Sequence, residues 1–282
     1  MNAHPRITVL MSVYNDELYL GEAIESILNQ TFEDFEFFII NDGSTDLSGH
    51  IIRSYRDKRI KYKDNQENLG LAKSLNRGIK LAKGKYIARQ DSNDISHSDR
   101  LRRQYDYMEK TATDVLGCRY KFIDIYGKQI PWLKIPMVRE TNYYSNLLDG
   151  KSIFPHGLVM LQSKSLKDIG GYNDSFYFAQ DCELWLRFLT AKRTIKILDY
   201  IGYYYRLPLI SSKEKKYGQK AYVSLLRGYY LNNKKISDSS LRKVKERIDT
   251  LSIRKRYRFK PIEILIYKCL LFITGIKKMM KY

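Results

Sequence analysis

The sequence predicts an α/β protein with a mostly parallel central sheet flanked by helices. Two observations carry that expectation. Over the first hundred residues, strand-like runs and helical patterns alternate about every 25 residues. The strand-like runs are also nearly continuous in apolar residues, as strands covered on both faces must be. In order, "RITVLMSVY" (Arg6 to Tyr14) reads as a first strand, and Leu20, Ala23, Ile24, Ile27 and Leu28 recur at helical spacing. "FEFFII" (Phe35 to Ile40) is the next strand, "NDGSTD" a turn with a cap signal, and Leu47 to Tyr55 a helix. "RIKYK" follows as a short strand, "GLAKSLNRGIKLAKG" as a helix closed by Gly84, and "KYIARQ" as a fourth strand.

Beyond Asp114 the alternation loosens. "DVLGCRYKFIDIYG" is expected as a β-ribbon, "HGLVML" as a strand, and "DCELWLRFLTAK" as an amphipathic helix. On that helix Leu184 and Trp185 are expected in the core, and Cys182 as a small packing residue. Past Pro208 the composition turns basic, with about twenty Lys and Arg against about five acids. The expected organisation is an α/β domain over 1–208 and a basic helical region over 209–282.

The 282 residues are 44% hydrophobic and 29% charged, enough for a core and against wholesale disorder. Three widely spaced cysteines form neither a disulfide framework nor a zinc pattern, which fits a reducing compartment. The first residues do not read as a signal peptide, and no run is apolar and long enough to cross a bilayer. The expectation is a cytoplasmic protein. The net charge of +19 calls for an anionic partner or surface.

In open parallel sheets, ligands bind outside the carboxyl ends of the strands. Three polar clusters fall at that edge: Ser12-Val13-Tyr14-Asn15, Asn41-Asp42-Gly43-Ser44 and Asp91-Ser92-Asn93-Asp94. A glycine-rich dinucleotide fingerprint and a P-loop are both absent from the sequence. Phosphates would then be held through a divalent cation, for which carboxylate and amide oxygens are suitable hard ligands.

The segments "VLMSVYNDELYLGEAIESILNQTFEDFEFFIINDGSTDLS", "NLGLAKSLNRGIKLAKGKYIARQDSNDI" and "FPHGLVML…IGGYNDSFYFAQDCELWLRF" resemble the family 2 glycosyltransferases of the GT-A fold. The likeness is to members that build bacterial exopolysaccharide, capsule and lipopolysaccharide, and it covers roughly Arg6 to Arg206. It implies a nucleoside diphosphate sugar donor, Mg²⁺ or Mn²⁺, and inversion at the anomeric carbon. Carried over by position, Ser12, Tyr14 and Asn15 fall at the nucleoside pocket, and Asp42 at the carboxylate that accepts the uracil ring N–H. Asn68, Gly70 and Lys73 fall beside the nucleotide. Asp91-Ser92-Asn93 occupies the D-x-D position, with Asp94 as a further candidate metal ligand. Asp181 matches the general base, and His156 and Gln180 fall next to the donor or acceptor sugar.

The chain departs from the family pattern at four places. Asn41 replaces the first of two paired acids, and Gln180 replaces the acid before the base. Leu207-Pro208 stands where a histidine often follows Tyr-Arg. Asn93 offers the cation a neutral oxygen in place of a charged one, which lowers affinity. A relative that binds a nucleotide sugar without transferring it is the alternative these changes raise. At the end of the chain, Ile262, Leu265, Ile266, Cys269, Leu270, Ile273 and Ile276 can share one face among cations. Two readings stand for it: docking on an anionic inner-membrane surface that carries a lipid-linked acceptor, or packing on the catalytic domain. No nucleic-acid reading motif accompanies the charge, so a nucleic-acid partner is not expected.

Overall fold

The computed structural model describes residues 4–133, 138–207 and 213–258. In chain order the elements are β1 (Ile7–Val13), α1 (Leu20–Leu28), β2 (Phe35–Asn41), α2 (Ser48–Ser54), β3 (Ile60–Asp64) and α3 (Leu71–Leu81). Then come β4 (Tyr86–Asp91), β5 (Ile95–Ser96), α4 (Arg100–Thr111), β6 (Val115–Ile123), α5 (Tyr143–Leu148) and β7 (Met160–Gln162). The last are α6 (Ser163–Asp168), α7 (Gln180–Thr190), β8 (Ile195–Arg206), α8 (Lys213–Asn232) and α9 (Asp238–Arg258).

The strands form one sheet in the order β3-β2-β1-β4-β7-β6-β8-β5. The first four are parallel, and their register is what gathers the polar clusters. Val13 pairs with Asn41, Asn41 with Asp64, and Ser12 with Asp91, so their carboxyl ends stop level with one another. β7 is antiparallel to β4 and β6, whereas β6 and β8 are parallel. The four leading strands are apolar because each sheet face carries its own core. One core joins Ile7, Val9, Met11, Phe37 and Ile39 to Ile24, Ile27 and Leu101. The other joins Leu10, Phe38 and Ile87 to Leu75, Leu158 and the apolar side chains of α7. Leu184, Trp185, Leu186 and Phe188 of α7 are fully buried, each contributing roughly 1.5–3 kcal/mol. Cys182 packs beside them, and burial pushes its thiol up to about 12, so it is inert filler as expected.

Three local expectations are corrected. Gly84 does not close a helix: α3 ends at Leu81, and a Cβ at Gly84 would overlap the Thr8 amide and lie 2.6 Å from the Ile7 carbonyl carbon. Glycine is needed there because two backbones touch. "HGLVML" is strand only from Met160, since His156–Leu158 form a 3₁₀ turn. The "DVLGCRYKFIDIYG" segment places β6 inside the sheet, and only its end folds back, through a turn in which Asp124 accepts the Tyr126 and Lys128 amides.

α8 and α9 join the second core through Tyr222, Val223, Leu226, Leu241 and Ile248. The amphipathic segment from Ile262 to Ile276 lies outside the described residues. Among the described residues no helix is long and apolar enough to cross a membrane.

Candidate active site

An open cleft of ≈ 700 Å³ runs across the carboxyl ends of β1, β2 and β4 to the start of α7. Ser12, Tyr14, Asp42, Asn68, Gly70, Asp91, Ser92, Asn93, His156, Gln180 and Asp181 all line it. Three other sequence candidates do not. Asn15 is turned into its own loop, where its backbone N–H donates to Ser44 and its amide oxygen accepts the Thr45 N–H. Lys73 is exposed on α3, away from the lining. Asp94 is 1% exposed and sits beneath the cleft floor.

Asp42 directly follows β2, and its carboxylate is held by three donors: Asn65 Nδ2 and Leu69 N on Oδ1, and Gly70 N on Oδ2. A carboxylate has about four acceptor positions, so one remains for a donor from the cleft. Gly70 has φ +90, a conformation glycine adopts without penalty, and Tyr177 closes over it.

Asp91 ends β4. Its Oδ1 takes an ion pair at 2.7 Å from Arg89, whose side chain is almost wholly buried, while the carboxylate itself stays partly exposed. Gly157 presses on the other side: a Cβ there would overlap Tyr203 Oη and lie 2.7 Å from Asp91 Oδ2. The loop that follows is fixed from below by Arg206, the last residue of β8. Its backbone N–H donates to Asp94 Oδ1 at 2.7 Å and its Nε to the Asn93 carbonyl at 2.8 Å. Nη1 reaches the carbonyls of Asp124 and Ile125, and Nη2 reaches Glu22 at 2.6 Å. Burial, then the nearby charge of Asp91, raises the Asp94 carboxyl well above its usual range.

A fourth carboxylate, Asp16, lines the cleft beside Asp91 and accepts the Ser92 hydroxyl. Burial raises its pKa, with the Ser92 hydrogen bond acting against that and Asp91 adding to it. Sequence reasoning passed over it, although it stands two positions beyond Tyr14 in the same strand-end cluster. Asp91, Asn93 and Asp16 are all hard oxygen donors. Among the described residues no group of three or more His, Cys, Asp or Glu is arranged to hold a metal. That donor set suits a cation that keeps several waters and takes the rest of its shell from substrate phosphates.

Asp181 stands in the first turn of α7, where the positive end of the helix favours a negative side chain, and its Oδ1 accepts the Cys182 N–H at 2.8 Å. The preceding Ala179 has φ +57, a strained conformation for a residue with a Cβ that turns the chain into the cleft. His156 is buried between Tyr172 and Trp185, with Nε2 2.5 Å from Tyr172 Oη. Burial first, and Arg89 second, hold its imidazole well below the usual range, so it is neutral at neutral pH. Leu71, Tyr120, Ser152, Pro155, Tyr177, Phe178, Tyr205 and Gln219 complete the wall. Of these, Tyr205 precedes the Tyr-Arg arginine and was findable, whereas nothing in the sequence flags Gln219 of α8.

A parallel sheet whose strand ends converge on a carboxylate-rich cleft, with a further carboxylate delivered by a late helix, defines a GT-A type transferase. The family model for glycosyl transferase family 2 matches residues 8–170, and the chain belongs to that family; it is a glycosyltransferase. It is 34% identical to an uncharacterized glycosyltransferase of Methanocaldococcus jannaschii, over 72% of this chain and 71% of the relative. It is likewise 34% identical to EpsE of Bacillus subtilis, also named as a glycosyltransferase, over 67% of this chain and 68% of the relative. Among solved structures it is similar to S. aureus TarS residues 1–349 in complex with UDP, with TM-score 0.61 and 22% identity, over 85% of this chain and 69% of that one. A mannosyltransferase of Pyrobaculum calidifontis in complex with GDP-Man and Mn²⁺ gives TM-score 0.62 at 14% identity, over 96% of this chain and 81% of that one. At these identities the structural likeness is one of fold.

Proposed function

We propose that the protein is an inverting glycosyltransferase of surface-polysaccharide synthesis. It moves a sugar from a UDP-linked donor to a hydroxyl of a glycan or lipid-linked glycan, with Asp181 as general base. The observation that carries this reading is that Asp181 and the Asp91-Ser92-Asn93 loop, far apart in sequence, line one cleft. The free acceptor position on Asp42 supports uracil, as does the fold likeness to a protein solved with UDP. Tyr14, half exposed at the end of β1, offers its ring to the base, and Asn68 and Gly70 border the nucleotide.

Asp91 and Asn93 would hold Mg²⁺ or Mn²⁺, which would supply neutralisation of the charge that builds on the departing diphosphate. Asp181 accepts the proton of the acceptor hydroxyl as that oxygen bonds to C1, a contribution of about 10²- to 10⁴-fold. Attack opposite the leaving diphosphate inverts the anomeric centre in one displacement. Neutral His156 and Gln180 offer hydrogen bonds to the sugars without adding charge. The site's opening to water at the inner membrane, and a contact between the C-terminal segment and that surface, belong to the same reading.

A second reading, a nucleotide-sugar-binding protein that no longer transfers, is favoured by the neutral Asn93 in the cleft. One experiment separates the two. UDP-sugar consumption with Mn²⁺ is measured for the parent and Asp181→Asn, alongside donor-dependent thermal stabilisation. Transfer lost by 10²-fold or more in Asp181→Asn, with stabilisation retained, is expected. Turnover unchanged in that variant rejects Asp181 as the base, and stabilisation without any turnover of the parent selects the second reading.

A further inference from the structure

A second cavity, ≈ 740 Å³, opens between the end of α5 and the α8–α9 hairpin. It meets the catalytic cleft at Gln219, which lines both. Its position relative to the base is fixed by packing: a Cβ on the neighbouring Gly218 would overlap the ring of Phe178, three residues before Asp181. The cavity therefore extends the cleft on the α7 side, away from the strand ends that border the nucleotide. Asp181, the base in the proposed reaction, stands at this end of the cleft, three residues beyond Phe178.

Four cations line this cavity, Lys220, Arg227, Lys234 and Lys235, against one acid, Asp149. Asp149 is already shared between Arg227 at 3.6 Å and Lys151 at 3.7 Å. Among the residues whose side chains are described, no carboxylate lies within ion-pair distance of Lys220, Lys234 or Lys235. Lys234 is not a loosely hung side chain at its root. Its backbone N–H donates to the Gly228 carbonyl at 3.0 Å, and its stem lies along Gly228. The floor is apolar, formed by Leu148, Val223 and Ile236. Four cations gathered over an apolar floor give a positive local potential that attracts an anion, and lysine is a point-charge phosphate binder.

We propose that this cavity holds a phosphate or diphosphate group of the acceptor, lying close to the hydroxyl that is glycosylated. The inference rests on the transferase reading above and narrows its acceptor to a phosphate-bearing one. The same chemistry occurs in the diphosphate headgroup of a lipid-linked glycan and in the phosphodiesters of a glycan or polyol chain, and the probes below separate them.

The full-length protein, saturated with UDP so that the nucleotide cleft is filled, is titrated by calorimetry with inorganic pyrophosphate, farnesyl diphosphate and a glycerol phosphate oligomer. The same titrations are run on the charge-reversed Lys220→Glu/Lys234→Glu variant, whose changes are exposed and outside the catalytic cleft. Binding of at least one probe, weakened roughly tenfold or more in the variant while UDP affinity is unchanged, is expected. Tighter binding of farnesyl diphosphate assigns the lipid source, and tighter binding of the oligomer assigns the polymer. Probe affinities unaltered by the charge reversal, no binding of any probe, or binding only to phosphatidylglycerol vesicles each overturn the proposal. Failure of UDP to bind the parent protein indicts the nucleotide reading instead. Pyrophosphate titrated without UDP then still reports on the cavity through its sensitivity to the Lys220 and Lys234 changes.

Discussion

Arg206→Met tests how the metal-side loop is held. The guanidinium donates to the carbonyls of Asn93, Asp124 and Ile125 and forms an ion pair with Glu22, and its side chain is 1% exposed. Methionine fills similar volume but leaves three carbonyls without their donor. Each loss costs about 1–3 kcal/mol when water cannot replace it. Three such losses would sum to about 3–9 kcal/mol. Glu22, 55% exposed, rehydrates and adds little, and the partial exposure of Asn93, Asp124 and Ile125 lets water replace part of the lost donation, which places the expected total at the lower end, roughly 3–5 kcal/mol. For a chain of this size that lowers the melting midpoint by about 10 °C. Urea denaturation gives the free energy directly, and a UDP titration with Mn²⁺ shows whether the Asn93 loop has lost its place. Arg206→Lys keeps the charge but reaches only part of the same set, so it should fall between. Both variants unfolding within about 0.5 kcal/mol of the parent would refute the argument, since surface changes commonly stay inside that band.

Gly157→Ala inserts a methyl against Asp91 and Tyr203, at an expected cost of about 1–3 kcal/mol and with weaker Mn²⁺-dependent nucleotide binding, both read from melting curves with and without ligand. His156 contributes a pH dependence of known sign. Below its ordinary value the unfolded chain takes up a proton that the buried ring refuses. Its stabilising contribution is therefore complete above about pH 6.5 and is lost as pH falls, at a slope approaching 1.4 kcal/mol per unit. The raised carboxyls of Asp16 and Asp94 act in the opposite sense and cancel when His156→Gln is compared with the parent at each pH. Equal slopes from pH 7.5 to 5.5 would remove His156 from the account. Asp94→Asn retains an acceptor for the Arg206 N–H and removes a carboxyl whose charged form burial disfavours, so its stability should match the parent within about 1 kcal/mol. Paramagnetic titration should show Mn²⁺ affinity kept in Asp94→Asn and lost in Asp91→Asn; equal loss in both would put Asp94 in the ion's shell.

The alternation of strand and helix through β4 was legible because period and composition are local properties: buried parallel strands must be apolar along their length. The placement of Ser12, Asp42 and Asp91 at one edge followed from the same pattern, since parallel strands of matched length end together. Less legible was the half beyond Asp114, where β6 enters the sheet between strands that come later in the chain. Its neighbours are set by long-range packing, which leaves no periodic signal.

Within the cleft, residue type and strand end could be read from the chain, but the direction of each side chain could not. Asp94 carries the same carboxyl as Asp91 and stands three positions away, yet Arg206 draws it under the floor. Asn15 and Lys73 have suitable chemistry and point elsewhere, while Asp16 turns inward onto Ser92. Gln219 and the cationic cavity depend on how α8 lies against α5 and the loop before α7. The sequence alone determined which chemistry the chain carries and the sheet edge that presents it, because both follow from local pattern. Only the tertiary structure decided which of those groups share one volume of space, because loop directions and helix docking are settled by contacts between distant parts of the chain.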